Sequence, residues 1–170
     1  MVLKILNKKA SFYSQRGITF IDVITTVAII TVLFLAIALI LNPVEMQERG
    51  RDEKRMSDLN HLDRAISEYL LDADSFPDTI DTTRYSNVLP AGNSGPFEDS
   101  TDGWIDQNMV QYLVRFPTDP LNDTTYRYSY RHSVATYELN AVLEYYVEEM
   151  QNDGGNNSAI YELGNDLTIL

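Results

Sequence analysis

The sequence predicts an α+β protein, with a long N-terminal α-helix followed by a small C-terminal antiparallel β-sheet. The first half of that helix is an uninterrupted uncharged run of 19 residues, 23–41. Near the C-terminus, segments of period-two alternation rich in tyrosine and valine indicate β-strands. The 170 residues are enough for one membrane segment and one domain of roughly 100 residues.

The first 17 residues are basic and the remainder is strongly acidic. The basic residues there are Lys4, Lys8, Lys9 and Arg16, without any acid. Residues 18–170 hold nine basic and 25 acidic side chains, a net charge of −16. Such a surface repels phosphate backbones, which argues against general nucleic-acid binding. The sequence contains no cysteine, so no disulfide contributes to its stability.

The apolar run has the length of a membrane-spanning helix. As a helix, Val23 to Leu41 would extend about 28 Å, close to the hydrocarbon thickness of a bilayer. A cleavable secretory signal has a shorter apolar core of about 7–15 residues and a small-residue cleavage site after it. Here Asn42-Pro43 follows instead. Because the leader is basic, the positive-inside rule predicts a cytoplasmic N-terminus and an external chain after about residue 45.

The segment GITFID, residues 17–22, directly precedes the aliphatic run. A basic leader, a glycine, an apolar first residue and an acid four positions later resemble the class III signal of type IV pilins and pseudopilins. The similarity is strongest over residues 1–42. Two positions depart from the usual pattern, since Ile18 replaces phenylalanine and Asp22 replaces glutamate.

This resemblance implies processing and polymerisation. Prepilin peptidase would cut between Gly17 and Ile18, where glycine lets the backbone approach a catalytic site closely because it lacks Cβ. The new α-amine of Ile18 would be N-methylated. A carboxylate inside hydrocarbon is costly and normally has a partner. The resemblance makes Asp22 an assembly residue, which attracts the N-terminal amine of a neighbouring subunit.

The resemblance also implies partners and a location. The precursor would be a single-pass protein of the inner (cytoplasmic) membrane, and subunits would form a helical homo-oligomeric filament at the cell surface or outside the cell. An assembly ATPase and a polytopic inner-membrane platform protein would drive its growth. Motility, DNA uptake, adhesion and secretion remain open as the purpose of the filament.

Four segments follow from these patterns and the resemblance. They are a leader peptide, a transmembrane and filament-core helix, an amphipathic continuation of that helix, and an extracytoplasmic β-rich domain: residues 1–17, 18–42, 43–73 and 74–170. Asn42-Pro43 should bend or loosen the helix, because proline lacks an N–H group and clashes with the preceding turn. Beyond it, Met56, Leu59, Leu62, Ile66, Tyr69 and Ala73 form an apolar stripe of helical period.

The charged residues around that stripe, including Asp52 and Arg55, are expected on the exposed faces of the helix. Residues 74–104 read as an irregular connection. A short helix is predicted over 105–116, with Asp106 near its N-terminus. Strands are predicted over 125–131, 136–147 and 159–163, and a loop over 152–157. The resemblance implies that this sheet packs on the long helix, in a pilin-like fold.

Catalytic and metal motifs are weak. His61 and His132 are isolated, and no nucleophile elbow occurs, so an enzyme is not predicted. Some pseudopilins bind calcium in an acidic C-terminal loop, and two groups could supply oxygen ligands here: Asp119, Asn122 and Asp123, or Asn152, Asp153 and Asn156. Neither follows an EF-hand pattern, and acidic turns are usually only solvated.

Two classes of function remain. The first is a structural subunit, pilin or pseudopilin, of a type IV pilus-like filament. The second is a monomeric signal-anchored surface protein whose outer domain binds a ligand. Asp22 favours the first class, because a plain anchor has no reason to carry an acid in its apolar run.

Overall fold

The first helix coincides with the apolar run. The structure, a computed structural model, describes residues 17–40 and 42–170, without the side chains of residues 39 and 40. The chain divides into two compact units, Met1–Asn42 and Pro43–Leu170. In the first unit, helix α1 spans Phe20–Ile40. The predicted leader lies outside the described residues apart from Gly17.

The second unit begins with a long helix, α2, which spans Pro43–Ala73. Pro43 is its first residue, a position at which a missing N–H group costs nothing. The predicted loosening at Asn42-Pro43 therefore coincides with the start of a helix, and α2 continues through Gly50. It ends at Ala73, where the sequence predicted, because Asp74 adopts a left-handed φ of 53°.

A four-stranded antiparallel sheet forms the rest of the second unit's framework. Its strands, in the order β1-β2-β3-β4, are Arg84–Tyr85, Ser129–His132, Tyr137–Ala141 and Tyr161–Gly164. A short helix, α3, spans Val147–Asn152 between the last two strands. The predicted α+β class, with an apolar N-terminal helix and a small antiparallel sheet, is confirmed.

The core lies between α2 and one face of the sheet. Leu59, Leu62 and Ile66 of the predicted stripe are fully buried. The strands and the loops before them contribute further core residues, which are Trp104, Ile105, Met109, Phe116, Tyr128, Tyr130, Tyr137, Leu139 and Ala141. Trp104 donates its Nε1–H to the carbonyl of Pro117 at 3.0 Å, so it anchors the connecting loop.

The helix predicted over 105–116 is wrong. This segment forms turns, and two of its backbone amides bond to the preceding loop instead of taking part in a helical ladder. The amide of Met109 donates to Ser100 at 2.7 Å, and that of Phe116 to Glu98 at 2.9 Å. The spacing of apolar residues reflected burial of Ile105, Met109 and Phe116 from an irregular backbone, because tertiary contacts overrode the local period.

The predicted strands are present but shorter and shifted. β2 starts at Ser129 instead of Thr125, because Asp123 Oδ1 accepts the amides of Thr125 and Tyr126 and holds them in a turn. β3 ends at Ala141 instead of Val147, which begins α3. α3 also includes Asn152, which was predicted to be the first residue of a loop. The third strand, β4, lies two residues later than predicted at its start.

Candidate functional site

Helix α1 exposes an apolar surface on every side. Over Phe20–Ala38 its mean hydropathy is 2.6, and none of this stretch is buried within the structure. Asp22 is the only charged side chain in the helix. A helix this long and this apolar, without any internal packing, fits a single-pass membrane anchor.

The threonine hydroxyl groups of α1 form hydrogen bonds within the helix itself. Thr25 Oγ1 donates to the carbonyl of Ile21 at 3.0 Å, and Thr31 Oγ1 donates to that of Val27 at 2.8 Å. Thr26 Oγ1 donates to the carbonyl of Asp22. In hydrocarbon, every polar group must be satisfied internally, and these threonines meet that condition. The sequence reading did not consider them.

The start of α1 is a capping box. Thr19 is the N-cap residue, and the amide of Asp22 donates to its Oγ1 at 3.3 Å. In return, Asp22 Oδ2 accepts the amide of Thr19 at 2.9 Å and its hydroxyl at 2.7 Å. This reciprocal pair satisfies amide groups that a helix start otherwise leaves unpaired. In the described part of the chain no hydrogen bond reaches Asp22 Oδ1.

Gly17 and Ile18 lie just before this capping box, in non-helical backbone. Both are exposed, and a Cβ built on Gly17 would meet no other atom within 4 Å. The three residues predicted to act in processing and assembly, Gly17, Ile18 and Asp22, are therefore all accessible at one end of α1. Their roles remain predictions.

A search of curated proteins found a distant relative. The chain is similar to the type II secretion system core protein G of Pectobacterium carotovorum subsp. carotovorum, with 28% identity over 110 residues. The match covers 65% of this chain and 64% of the relative's length. No protein-family model matches the chain, and no solved structure matches it.

In the second unit, a buried cluster of charges joins α2 to two loops. This group, the Arg55 cluster, consists of Arg51, Asp52, Arg55, Asp119 and Glu144. Arg55 binds Asp119 with two hydrogen bonds, Nε to Oδ2 at 2.6 Å and Nη2 to Oδ1 at 3.1 Å. Its Nη1 donates to both Asp52 Oδ1 and Glu144 Oε2 at 2.8 Å. Arg51 binds Glu144 with two further bonds.

Asp52 also organises the backbone after β3. Its carboxylate accepts the amides of Glu144, Tyr145 and Tyr146 at distances from 2.7 to 3.1 Å. These amides point to α2 instead of to a neighbouring strand. This arrangement is the physical reason that β3 ends before Val147.

Burial and hydrogen bonding have opposite effects on the pKa values in the Arg55 cluster, and the effect of hydrogen bonding is the larger. Burial alone would lower the pKa of Arg55, but its bonds to Asp119, Glu144 and Asp52 raise that pKa above the ordinary value. The hydrogen bonds from Arg51 and Arg55 lower the pKa of Glu144, and together they outweigh the opposite effect of burial. Arg55 and Glu144 are thus held in their charged forms, and the hydrogen bonds between α2 and the two loops make the cluster a structural clamp within the second unit.

The sequence reading placed Asp52 and Arg55 on exposed faces, and this was wrong. Both side chains are 0% exposed. Their positions carried a signal, because 52, 55, 59, 62 and 66 continue the spacing of the apolar stripe. Charge by itself predicts exposure, whereas the partners that make burial possible lie 64 and 89 residues further along the chain.

The loops considered for calcium use their carboxylates internally. Both oxygens of Asp119 bind Arg55. Asp123 Oδ1 holds its own turn, and Asp153 accepts the amides of Gly155 and Glu162. Among the described residues there is no group of three histidine, cysteine, aspartate or glutamate side chains arranged to hold a metal ion.

Proposed function

We propose that this chain is a structural subunit, a pilin or pseudopilin, of a type IV pilus-like filament. The observation that carries the proposal is α1, an exposed apolar helix whose first turn contains Asp22, the acid of its capping box. Such a surface requires either lipid or the helices of other subunits around it. Similarity to a type II secretion system core protein supports the same structural role, and no enzymatic activity is proposed.

Processing is proposed between Gly17 and Ile18. A peptidase needs its substrate in an extended form, and residues 17–19 are non-helical, with Thr19 as the N-cap residue of α1. Prepilin peptidase would therefore reach the bond without unwinding α1. The released amine of Ile18 would be N-methylated and, before methylation, mostly cationic at neutral pH.

Asp22 would then serve two functions. Its Oδ2 holds Thr19 at the start of its own helix. Its Oδ1 stays available for the Ile18 amine of a neighbouring subunit. Opposite charges in a dry helical bundle attract strongly, and pairing offsets the cost of burying either charge alone. The contact would set the axial register of a helical homo-oligomer.

The proposed route begins with a single-pass precursor in the inner membrane, its basic N-terminus in the cytoplasm. An assembly ATPase and an inner-membrane platform protein would extract mature subunits into the filament. The acidic second unit would lie outside the membrane. Since the type II secretion relative belongs to a secretion apparatus by name, secretion is the use that the comparison favours.

N-terminal analysis of the mature protein tests the proposal. Intact mass should correspond to a chain that begins at Ile18 and carries one methyl group. Gly17→Val should accumulate as uncut precursor, whereas the control Gly50→Val should be cut normally. A mature membrane pool that still carries residues 1–17 would contradict the proposal and favour a monomeric signal-anchored protein.

A further inference from the structure

Three polar side chains are buried on the sheet face opposite α2. Glu138, Asn140 and Glu162, here called the outer-face cluster, are 0%, 5% and 2% exposed. On β3, Glu138 and Asn140 alternate with Leu139 and Ala141, which belong to the core. Asn140 lies directly opposite Glu162 on β4, and Glu138 is its neighbour on the same face. The carboxyl groups of Glu138 and Glu162 are close enough for the charge of one to act on the other.

Each carboxylate uses only one of its oxygens. Glu138 Oε2 accepts the amides of Ile169 and Leu170 at 2.8 and 2.9 Å. Glu162 Oε2 accepts the amide of Asn157 at 3.0 Å. The other oxygens, Glu138 Oε1 and Glu162 Oε1, are buried without a hydrogen-bond partner, and so is Asn140 Oδ1. Buried polar atoms are nearly always paired, so three unpaired acceptors at neighbouring positions of one sheet face require an explanation.

The charge of the cluster is also unbalanced. Among the ion pairs of the described residues, none involves Glu138 or Glu162. Asp153 adds a further negative charge, with its Oδ2 2.8 Å from the amide of Glu162. Two adjacent buried negative charges repel each other unless a proton or a cation lies between them.

A shared proton would satisfy only part of this arrangement. One proton between Glu138 and Glu162 would pair their two free oxygens, but it would leave Asn140 Oδ1 without a donor. A metal cation would satisfy all three oxygens and neutralise both carboxylates. Carboxylate and amide oxygens are hard ligands, which favour Ca²⁺ over softer metals.

We propose that Glu138, Asn140 and Glu162 form a binding site for a hard divalent cation of the Ca²⁺ class. Backbone carbonyls and water would complete its coordination. The site is built on two strands and is separate from both loops considered in the sequence analysis. It is independent of filament assembly, so either proposal can fail without the other.

The bound cation would fasten the outer layer of the second unit to the sheet. The loop around Gly155 closes over Glu162, so tightly that a Cβ on Gly155 would lie 1.8 Å from Glu162 Oε2. Residues 169 and 170 are attached through Glu138. Without the cation, both segments would depend on carboxylates that repel each other.

The test uses the full chain in detergent micelles, freed of metal by a chelator. Fluorescence of Trp104, the sole tryptophan, reports unfolding. Saturating CaCl₂ should raise the melting temperature by about 5–10 °C, as binding to the folded state alone requires. NaCl at the same ionic strength should not. An equal rise with both salts, or no rise with CaCl₂, would overturn the proposal.

Variants locate the site. Glu138→Gln and Glu162→Gln should each remove most of the CaCl₂-dependent rise, whereas the loop control Asp123→Asn should retain it. If a glutamine variant does not fold, Asn140→Asp serves as the deciding variant. Its third carboxylate should increase the CaCl₂-dependent rise in melting temperature. A rise that is lost in Asp123→Asn but kept in the glutamine variants, or unchanged in Asn140→Asp, would refute this location.

Discussion

Replacement of Arg55 by methionine tests the Arg55 cluster most directly. The substitution conserves length and apolar stem but removes the guanidinium. Glu144 keeps its two bonds to Arg51, and Asp52 keeps three backbone amides. Asp119 loses both of its side-chain hydrogen bonds, which Arg55 donates, and keeps the amide of Leu121 at 2.8 Å and a long contact to that of Asn122. The main cost is therefore an uncompensated buried carboxylate at Asp119.

Loss of one partner from a buried ion pair typically costs about 3–5 kcal/mol of unfolding free energy. Because Asp52 and Glu144 retain donors, we expect the lower end of that range, about 3 kcal/mol. Arg55→Lys keeps the charge but cannot bind Asp119 with two bonds and reach Asp52 and Glu144 as well. It should lose about 1–3 kcal/mol, the cost of leaving a buried acceptor unpaired.

Urea unfolding of the full chain in micelles, followed by Trp104 fluorescence, measures these changes. Arg64→Met is the control, because Arg64 is 79% exposed and its ion pair with Glu68 lies on the surface of α2. It should change stability little. In the double variant Arg55→Met/Asp119→Leu, part of the loss should be recovered, because the unpaired charge is gone. A loss below about 1 kcal/mol for Arg55→Met would refute the clamp.

Two further predictions concern other charges. Because the folded-state pKa of Glu144 is lowered, its contribution to stability is present above the unfolded pKa of about 4.3 and is lost as pH falls through the lower folded value. Glu144→Gln should therefore flatten the decline of the urea midpoint below that pH, and an unchanged acid profile would contradict this. Asp22→Ala should leave membrane insertion and cleavage after Gly17 intact but sharply reduce sheared surface filaments, whereas Asp22→Glu should assemble normally. Parental filament yield from Asp22→Ala would exclude the carboxylate as an assembly contact.

Local pattern was sufficient for the parts of this protein that depend on nearby residues. The apolar run predicts helix α1 from composition alone, because 19 consecutive uncharged residues are typical of a membrane-spanning helix. The end of α2 follows from a break in helical period near Pro77. Period-two alternation in β3 places Tyr137, Leu139 and Ala141 on one face, and all three belong to the hydrophobic core. The roles of Gly17, Ile18 and Asp22 stay predictions, since their partners are other molecules.

Tertiary structure decided everything that depends on partners distant in sequence. Asp52 and Arg55 are buried because Asp119 and Glu144 reach them from loops far along the chain. The same contact ends β3, since the amides after it bind Asp52 instead of continuing the sheet. Residues 105–116 bury Ile105, Met109 and Phe116 without forming a helix, because the amides of Met109 and Phe116 bind carbonyls of the loop before them. A periodic pattern records which side chains are buried, but only the folded chain determines which polar groups satisfy one another.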